Sequence, residues 1–267
     1  MYFIGIDIGS TCAKTVVLGE DLTLLFRQVR PTGWSGVEAA ENIFSEIKAL
    51  GYLPDQASPS DPLSHPGAGI VATGYGRVSV PYADKAVTEI TCHAAGAARL
   101  FGQGDLEVID IGGQDTKIVR VKDGKVMDFI MNDKCSAGTG RFLEVMGNTM
   151  GLKPGELCEL AREGQTSGTK ISSMCTVFAE SEVISLIGRG TPKANIAYAV
   201  VDSIADKVAS QCRRLHDREA RVILTGGLCE CDFLREILER KLSVSVSTGP
   251  EGRYAGALGA ALKAAEL

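Results

Sequence analysis

Apolar residues in this chain recur at two periods, and the switching between them predicts an α/β architecture. Tyr2-Phe3-Ile4-Gly5-Ile6-Asp7 is an apolar, β-branched run that breaks at Gly9 and resumes as Thr15-Val16-Val17-Leu18, which predicts two strands around a small-residue turn. Segment 35–50 sets Val37, Ala40, Ile43, Phe44 and Ile47 at helical spacing, and 89–101 is similar. Residues 69–74 and 106–109 read as buried strands. The longest helical pattern, 193–215, places Ile196, Val200, Ile204, Val208 and Cys212 at every fourth position. Val222-Ile223-Leu224-Thr225 predicts a strand ending at Gly226-Gly227, and 232–242 predicts a helix. Residues 254–266, rich in Ala, Gly and Leu, predict a tightly packed closing helix. Pro54, Pro59, Pro62 and Pro66 mark 53–67 as a surface loop.

An internal repeat organises these elements. Ile6-Asp7-Ile8-Gly9 recurs as Ile109-Asp110-Ile111-Gly112, and the same offset of 103 residues carries Lys14 onto Lys117. The second copy continues as the strand Ile118-Val119-Arg120-Val121. Two copies so far apart point to a duplicated lobe and not to a short-period solenoid. A length of 267 residues leaves room for two lobes with separate cores.

Composition narrows the class. A net charge of −5 gives no basic face for nucleic acid. No apolar run is long enough to span a membrane, and the N-terminus enters a strand without the features of a signal peptide, so the cytoplasm is the expected location. Eight cysteines are too sparse for a disulfide scaffold; in a reducing compartment those that are more than core filler are metal ligands or redox groups.

Asp7-Ile8-Gly9-Ser10-Thr11-Cys12-Ala13-Lys14 and Asp110-Ile111-Gly112-Gly113-Gln114-Asp115-Thr116-Lys117 suit gripping a nucleotide from both sides. Glycine lets backbone N–H groups approach phosphate oxygens, and hydroxyls and lysine add donors. An Asp at each strand end suits Mg²⁺ held through water. Asp7, Asp110 and Asp115 are thus candidates for Mg²⁺ or water positioning. No G-x-x-x-x-G-K-[ST] motif is present, so this is not a P-loop.

These hairpins, Gly226-Gly227 and the Gly256-Ala257-Leu258-Gly259-Ala260 helix resemble the superfamily of sugar kinases, actin and heat-shock chaperone ATPases. The resemblance implies two ribonuclease-H-like lobes, 1–98 and 99–253, with an ATP cleft between them and 254–267 packing back on the first. Alone it does not choose among kinase, chaperone, filament or switch.

Cysteine placement separates these. Met131-Asn132-Asp133-Lys134-Cys135-Ser136-Ala137-Gly138-Thr139-Gly140-Arg141-Phe142-Leu143-Glu144 and Ser173-Met174-Cys175-Thr176-Val177-Phe178-Ala179-Glu180 each set a cysteine at the start of a helical pattern. A helix N-terminus favours thiolate and an anionic cluster. A [4Fe–4S] cluster usually takes four thiolates, so two per chain suggest one shared across a symmetric dimer.

With Thr73-Gly74-Tyr75-Gly76-Arg77 and Glu89-Ile90-Thr91-Cys92-His93-Ala94, these segments closely resemble the activator family of 2-hydroxyacyl-CoA dehydratases, and much of the pattern resembles the ATPase subunits of benzoyl-CoA reductases. The resemblance implies that Cys135 and Cys175 of two subunits hold a single [4Fe–4S] cluster, and that ATP drives one electron to the dehydratase or a related reductase. It also implies ferredoxin or flavodoxin as the source of that electron. For the nucleotide it points to Gly9, Ser10, Thr11, Cys12, Ala13, Lys14, Gly112, Gly113, Gln114, Gly138, Thr139, Gly140, Gly226, Gly227, Glu230 and Gly256. Cys229-Glu230-Cys231 departs from the small or amide residues more usual there. A surface or packing role suits these two cysteines better than a second metal. Cys92, Cys158 and Cys212 fit helix interiors, and His65 and His216 look exposed. The alternatives are a small-molecule kinase of the same superfamily, with Asp110 or Asp115 as base, and a nucleotide-dependent scaffold without redox work.

Overall fold

A computed structural model describes residues 1–61, 64–165, 168–171, 175–215 and 219–267. Pro62, Ser173, Met174 and His216, named above, lie outside the described residues. The chain forms two compact units. One is Met1–Gly104 with Val121–Val126 and Tyr254–Leu267; the other is Asp105–Arg120 with Met127–Arg253.

The first unit is built on β1 (Tyr2–Ile8), β2 (Cys12–Leu18), β3 (Leu24–Pro31), β4 (Ala68–Thr73) and β5 (Lys85–Ala86), in sheet order β3-β2-β1-β4-β5. β1, β2 and β3 form an antiparallel meander, whereas β4 runs parallel to β1 and β5 parallel to β4. Alternation along β1 divides the core. Ile4, Ile6 and Ile8 join Ala40, Ile43, Phe44 and Ile47 of helix α1 (Gly36–Ala49), and Phe3 joins the opposite cluster. That second cluster holds Cys92 of α2 (Glu89–Phe101) and Ala257 and Ala261 of the C-terminal helix α8 (Ala255–Ala264). The Ala/Gly composition of α8 is a packing requirement: a Cβ at Gly259 would strike the Cys92 carbonyl, so α2 and α8 meet backbone to backbone.

Segment 53–67 is less superficial than its prolines suggest. Leu53 and Ala57 are buried, and so is His65, contrary to the exposed position expected from sequence. The His65 ring is wedged between two carbonyls, Nδ1 3.2 Å from Ala68 O and Nε2 3.0 Å from Tyr82 O. One carbonyl belongs to the first residue of β4 and the other lies beyond the strand, and the ring N–H can donate to one of them in either neutral tautomer.

The second unit repeats the sheet. Its strands are β6 (Asp105–Ile111), β7 (Thr116–Lys122), β8 (Lys125–Asn132), β9 (Arg221–Gly226) and β10 (Val246–Ser247), in order β10-β9-β6-β7-β8. β9 runs parallel to β6, and β10 parallel to β9, as β4 and β5 do in the first unit. Between β8 and β9 the chain inserts α3 (Gly140–Thr149), α4 (Pro154–Arg162), α5 (Thr176–Gly188) and α6 (Lys193–Cys212); α7 (Asp232–Leu242) links β9 to β10. A single cluster from Ile109 to Val246 forms the core and includes the apolar stripe Ile196, Val200, Ile204, Val208 of α6. No helix among the described residues is long and apolar enough to cross a membrane.

Candidate functional site: paired carboxylate turns and a cysteine ledge

Each unit carries one turn of the same design. In the first, antiparallel pairing sets Asp7 opposite Lys14, and parallel pairing sets Asp7 beside Thr73. Asp7 is buried, and Lys14 Nζ lies 3.4 Å from its Oδ2. The turn closes through Gly9 N–H to Cys12 O at 3.1 Å and is held by the Thr32 hydroxyl donating to Gly9 O at 2.7 Å. Ser10 and Thr11 stand exposed at its tip, Cys12 is partly buried, and Ala13 points wholly into the core. Gly256 lies over this carboxylate: a Cβ there would crowd both Asp7 Oδ2 and His93 Nε2.

In the second unit Asp110 is likewise buried, with Lys117 Nζ 3.3 Å from its Oδ2 and the Thr225 hydroxyl donating to its Oδ1 at 3.0 Å. Lys117 also reaches Asp115 Oδ2 at 2.5 Å, so one ammonium is shared by two carboxylates. Only 3% of its side chain is exposed, against 18% for Lys14. Burial on this scale needs the charge to be compensated, and the two aspartates do so. Gly112 N–H donates to Asp115 O at 2.9 Å, closing the turn around Gly113 and Gln114.

The duplication extends to a pair that sequence inspection did not align. Gly74 after β4 and Gly226 at the end of β9 have φ of +87° and +86°. A Cβ at Gly74 would strike the Asp7 carboxylate and the Ile8 carbonyl; at Gly226 it would strike the Asp110 carboxylate and the Ile111 carbonyl. Thr73-Gly74 and Thr225-Gly226 are therefore one motif used twice, each pressed against its aspartate. Identical dipeptides after apolar strands were the available signal. Their 152-residue spacing hides the match, because the inserted helices lengthen the second copy. Gly227 follows, its N–H bonded to Ile111 O at 3.0 Å. Glu230 pairs with Arg253 at 3.2 Å farther along the same loop.

The cysteine segment is joined to the second turn by backbone. Gly140 N–H donates to Gly112 O at 2.9 Å and Arg141 N–H to Gly113 O at 2.7 Å, while the Thr116 hydroxyl donates to Gly138 O at 2.8 Å. Gly138, Thr139 and Gly140 thus sit with Gly112 and Gly113. The Thr139 hydroxyl holds Ser136 O at 2.6 Å, and Asn132 Nδ2 holds Cys135 O at 2.8 Å. Asn132, at the end of β8, fixes the loop that presents Cys135.

Cys175 is the N-cap residue of α5, as its pattern predicts. Cys135 is not at a helix start: α3 begins five residues later, because Gly138 takes a φ of +85° and turns the chain first. The helix-terminus argument therefore applies to Cys175 alone. The two segments nevertheless meet, with Ser136 Oγ 2.7 Å from Thr176 Oγ1. Both thiols are partly exposed and outside any disulfide. Among the described residues no three potential His, Cys, Asp or Glu ligands converge. Two thiols on segments that meet at Ser136 and Thr176 supply half of a thiolate set, so the donors would fit a [4Fe–4S] group only if others came from outside this chain. Beside them α5 exposes Val177 and Phe178 (66% each), Ile184 and Ile187.

Of the remaining cysteines, Cys92, Cys158 and Cys212 are buried in helices as expected. Cys229 and Cys231 are buried as well, which removes the surface alternative.

The chain is similar in sequence and structure to known proteins. The (R)-2-hydroxyglutaryl-CoA dehydratase activating ATPase of Acidaminococcus fermentans is 39% identical over 265 residues, covering 99% of this chain and 97% of the relative. The activator of lactoyl-CoA dehydratase of Anaerotignum propionicum is 39% identical over 269 residues, covering 100% and 98%. The solved structure of the activator of the 2-hydroxyisocaproyl-CoA dehydratase from Clostridium difficile, with bound ADPNP, superposes with a TM-score of 0.87 at 32% identity, covering 100% of this chain and 95% of that one. The BadF/BadG/BcrA/BcrD ATPase family model matches residues 4–264, and the chain belongs to that family.

Proposed function

We propose that this protein is an ATP-driven activator of a 2-hydroxyacyl-CoA dehydratase or a related reductase, passing single electrons through a [4Fe–4S] cluster held by Cys135 and Cys175 of two copies. The observation that carries the reading is the hydrogen-bonded path from the second turn to both cysteines: Gly112 and Gly113 to Gly140 and Arg141, Thr116 to Gly138, Thr139 to Ser136, and Ser136 to Thr176. A ligand that displaces the turn displaces the cysteine loop with it. The names of the relatives supply the partner class, and two of them are activators at 39% identity, which does not favour a small-molecule kinase.

Bound at this site, the cluster supplies a one-electron couple. The chain does the rest. Ser10 and Thr11 offer hydroxyls, and Gly113 and Gln114 offer backbone donors, to phosphate oxygens, while Gly112 N–H closes the turn that presents them. Lys14 and Lys117 neutralise phosphate charge, while Asp7 and Asp110 suit Mg²⁺ through water. Lys117 is already shared by Asp110 and Asp115, so an arriving phosphate competes for it and loosens Asp115 and its turn. Strain in that turn reaches α3 through the Gly140 and Arg141 amides. Binding shifts the cysteine geometry only as far as the two arrangements differ in nucleotide affinity. Hydrolysis then resets the turn; ferredoxin or flavodoxin would be the electron source, in the cytoplasm.

Iron content tests the reading. Protein purified without oxygen is expected to be brown, with about four irons per dimer. Cys135→Ser and Cys175→Ser are each expected to remove the iron and leave the circular dichroism of the fold intact, because neither thiol is buried core. Full iron retention in either variant contradicts the assignment.

A further inference from the structure

The two turn aspartates keep different company. In the second unit Thr225, paired in register with Asp110, donates its hydroxyl to Oδ1, and Lys117 reaches Oδ2. In the first unit Thr73 stands at the same register beside Asp7, yet its buried hydroxyl makes no hydrogen bond among the described residues. The Asp7 carboxylate is instead flanked by two glycines. A Cβ at Gly74 would strike Oδ1, and one at Gly256 would lie 2.9 Å from Oδ2. That same position over Gly256 is 2.8 Å from Nε2 of His93, so the ring nitrogen and the carboxylate oxygen face one point.

The helix that carries His93 fixes it there. A Cβ at Gly96 would strike the Ala255 carbonyl, as one at Gly259 would strike that of Cys92. Helices α2 and α8 are thus antiparallel and in backbone contact both before and after residue 93, which leaves the ring little room to move. His93 is 6% exposed and Asp7 4%. Burying an imidazole costs free energy that an apolar side chain would not, and facing a carboxylate offsets part of that cost.

We propose that His93 is a positioning residue for ATP hydrolysis, holding the direction of the Asp7 carboxylate from across Gly256. The inference rests on the reading of Asp7 as a nucleotide-site carboxylate. Lys14 neutralises phosphate charge in that reading, so its 3.4 Å contact with Oδ2 gives way when a nucleotide arrives. In the tautomer with the proton on Nε2, His93 is then the donor still directed at the Oδ2 side, and Asp7 keeps its orientation through the step. In that step the water oxygen bonds to the γ-phosphorus, and the bond from phosphorus to the bridging oxygen breaks with its electron pair going to ADP. Both water protons leave with the phosphate. His93 exchanges no proton and acts only through Asp7.

The test compares His93→Gln and His93→Asn in the full chain, purified without oxygen. A glutamine amide reaches the place of Nε2, whereas an asparagine amide reaches only that of Nδ1, and both keep a polar group in the site. His93→Asn is expected to lower kcat for ATP about tenfold or more, and His93→Gln to stay within about threefold of the parent, as for a group that orients another. KM for ATP is expected to change by less than about twofold in both, because the interaction serves the step and not ground-state binding. Affinity for a non-hydrolysable ATP analogue, measured by calorimetry, and iron content are expected to match the parent. His93→Ala, which leaves space for water in place of the ring, stands in should His93→Asn fail to fold. Parental turnover and iron read the activator assignment, while the ratio of the two variants reads His93, so the two fail separately. Equal kcat in the Gln and Asn variants overturns the proposal, whether both are fast or both slow. So does a loss confined to KM, which would make His93 a binding contact.

Discussion

The two units share a sheet and differ in what is hung on it. Both run a three-strand meander into two further parallel strands, and both oppose an aspartate at the end of the first strand to a lysine and to a Thr-Gly step. Between its third and fourth strands the first unit places α1 and a loop; the second places four helices, with Cys135 just before them and Cys175 among them. The carboxylate turn in the first unit is anchored to Thr32 alone by its hydroxyl to Gly9 O and its N–H to Thr11 O, at the end of an outer strand, whereas the turn in the second is bonded through two backbone amides to the start of an inserted helix. A duplicated hairpin can thus present the same carboxylate–lysine turn twice, and an insertion in one copy can join a cysteine loop to it. The more buried lysine also belongs to the copy with the insertion, so charge and cysteines are coupled on the same side of the duplication.

Changing the shared step gives the largest expected effect. Gly74→Ala and Gly226→Ala each force a left-handed residue against a carboxylate and a carbonyl. The backbone strain alone costs on the order of 1–3 kcal/mol, and the collision adds to it. Both variants are expected to lose several degrees or more in thermal melts, by similar amounts; a loss at only one glycine breaks the equivalence of the two motifs.

Asp7→Asn and Asp110→Asn sharpen the difference. Turnover of ATP is expected to fall about tenfold or more in each, which is at least ~1.4 kcal/mol of barrier. Stability is expected to separate them. Asp110 accepts from buried Lys117 and from Thr225, and weakening such charged bonds costs about 1.5–3 kcal/mol, whereas the less buried Lys14 is better placed to find water. Equal melting temperatures for the two variants would show that the burial of Lys117 carries no energetic weight.

Much of this was legible in sequence. The Asp7 and Asp110 hairpins, α1, α2, α7 and the Ala/Gly helix at the C-terminus follow from period and turn residues, because each presents one clear face to a core. The outer strands β3 and β8 were not legible: their apolar residues, among them Leu24, Leu25, Met127 and Phe129, are exposed and so follow no core-facing alternation. His65 was misplaced because a polar ring can be buried when the chain supplies two carbonyls, which no local pattern announces. Cys135 was put at a helix start because its segment reads on smoothly into Phe142 and Leu143; the left-handed turn at Gly138 intervenes.

The smallest change bears on the link between the cysteine segments. Ser136→Ala removes a 2.7 Å hydroxyl bond to Thr176 and is expected to cost about 1 kcal/mol. It is expected to speed removal of iron by a chelator in every nucleotide state, measured by loss of visible absorbance. An unchanged rate would show that Cys135 and Cys175 are held in place without that bond.

The path from the second turn to the cysteines is tested most directly by the rate at which an iron chelator bleaches the reduced protein, with oxygen excluded, in the apo, ADP and non-hydrolysable ATP-analogue states. Because Gly112 and Gly113 are bonded to Gly140 and Arg141, the analogue is expected to give a rate distinct from that with ADP, and Asp110→Asn is expected to narrow the gap. Identical rates in all three states would contradict the account and leave any cluster a passive clasp between copies.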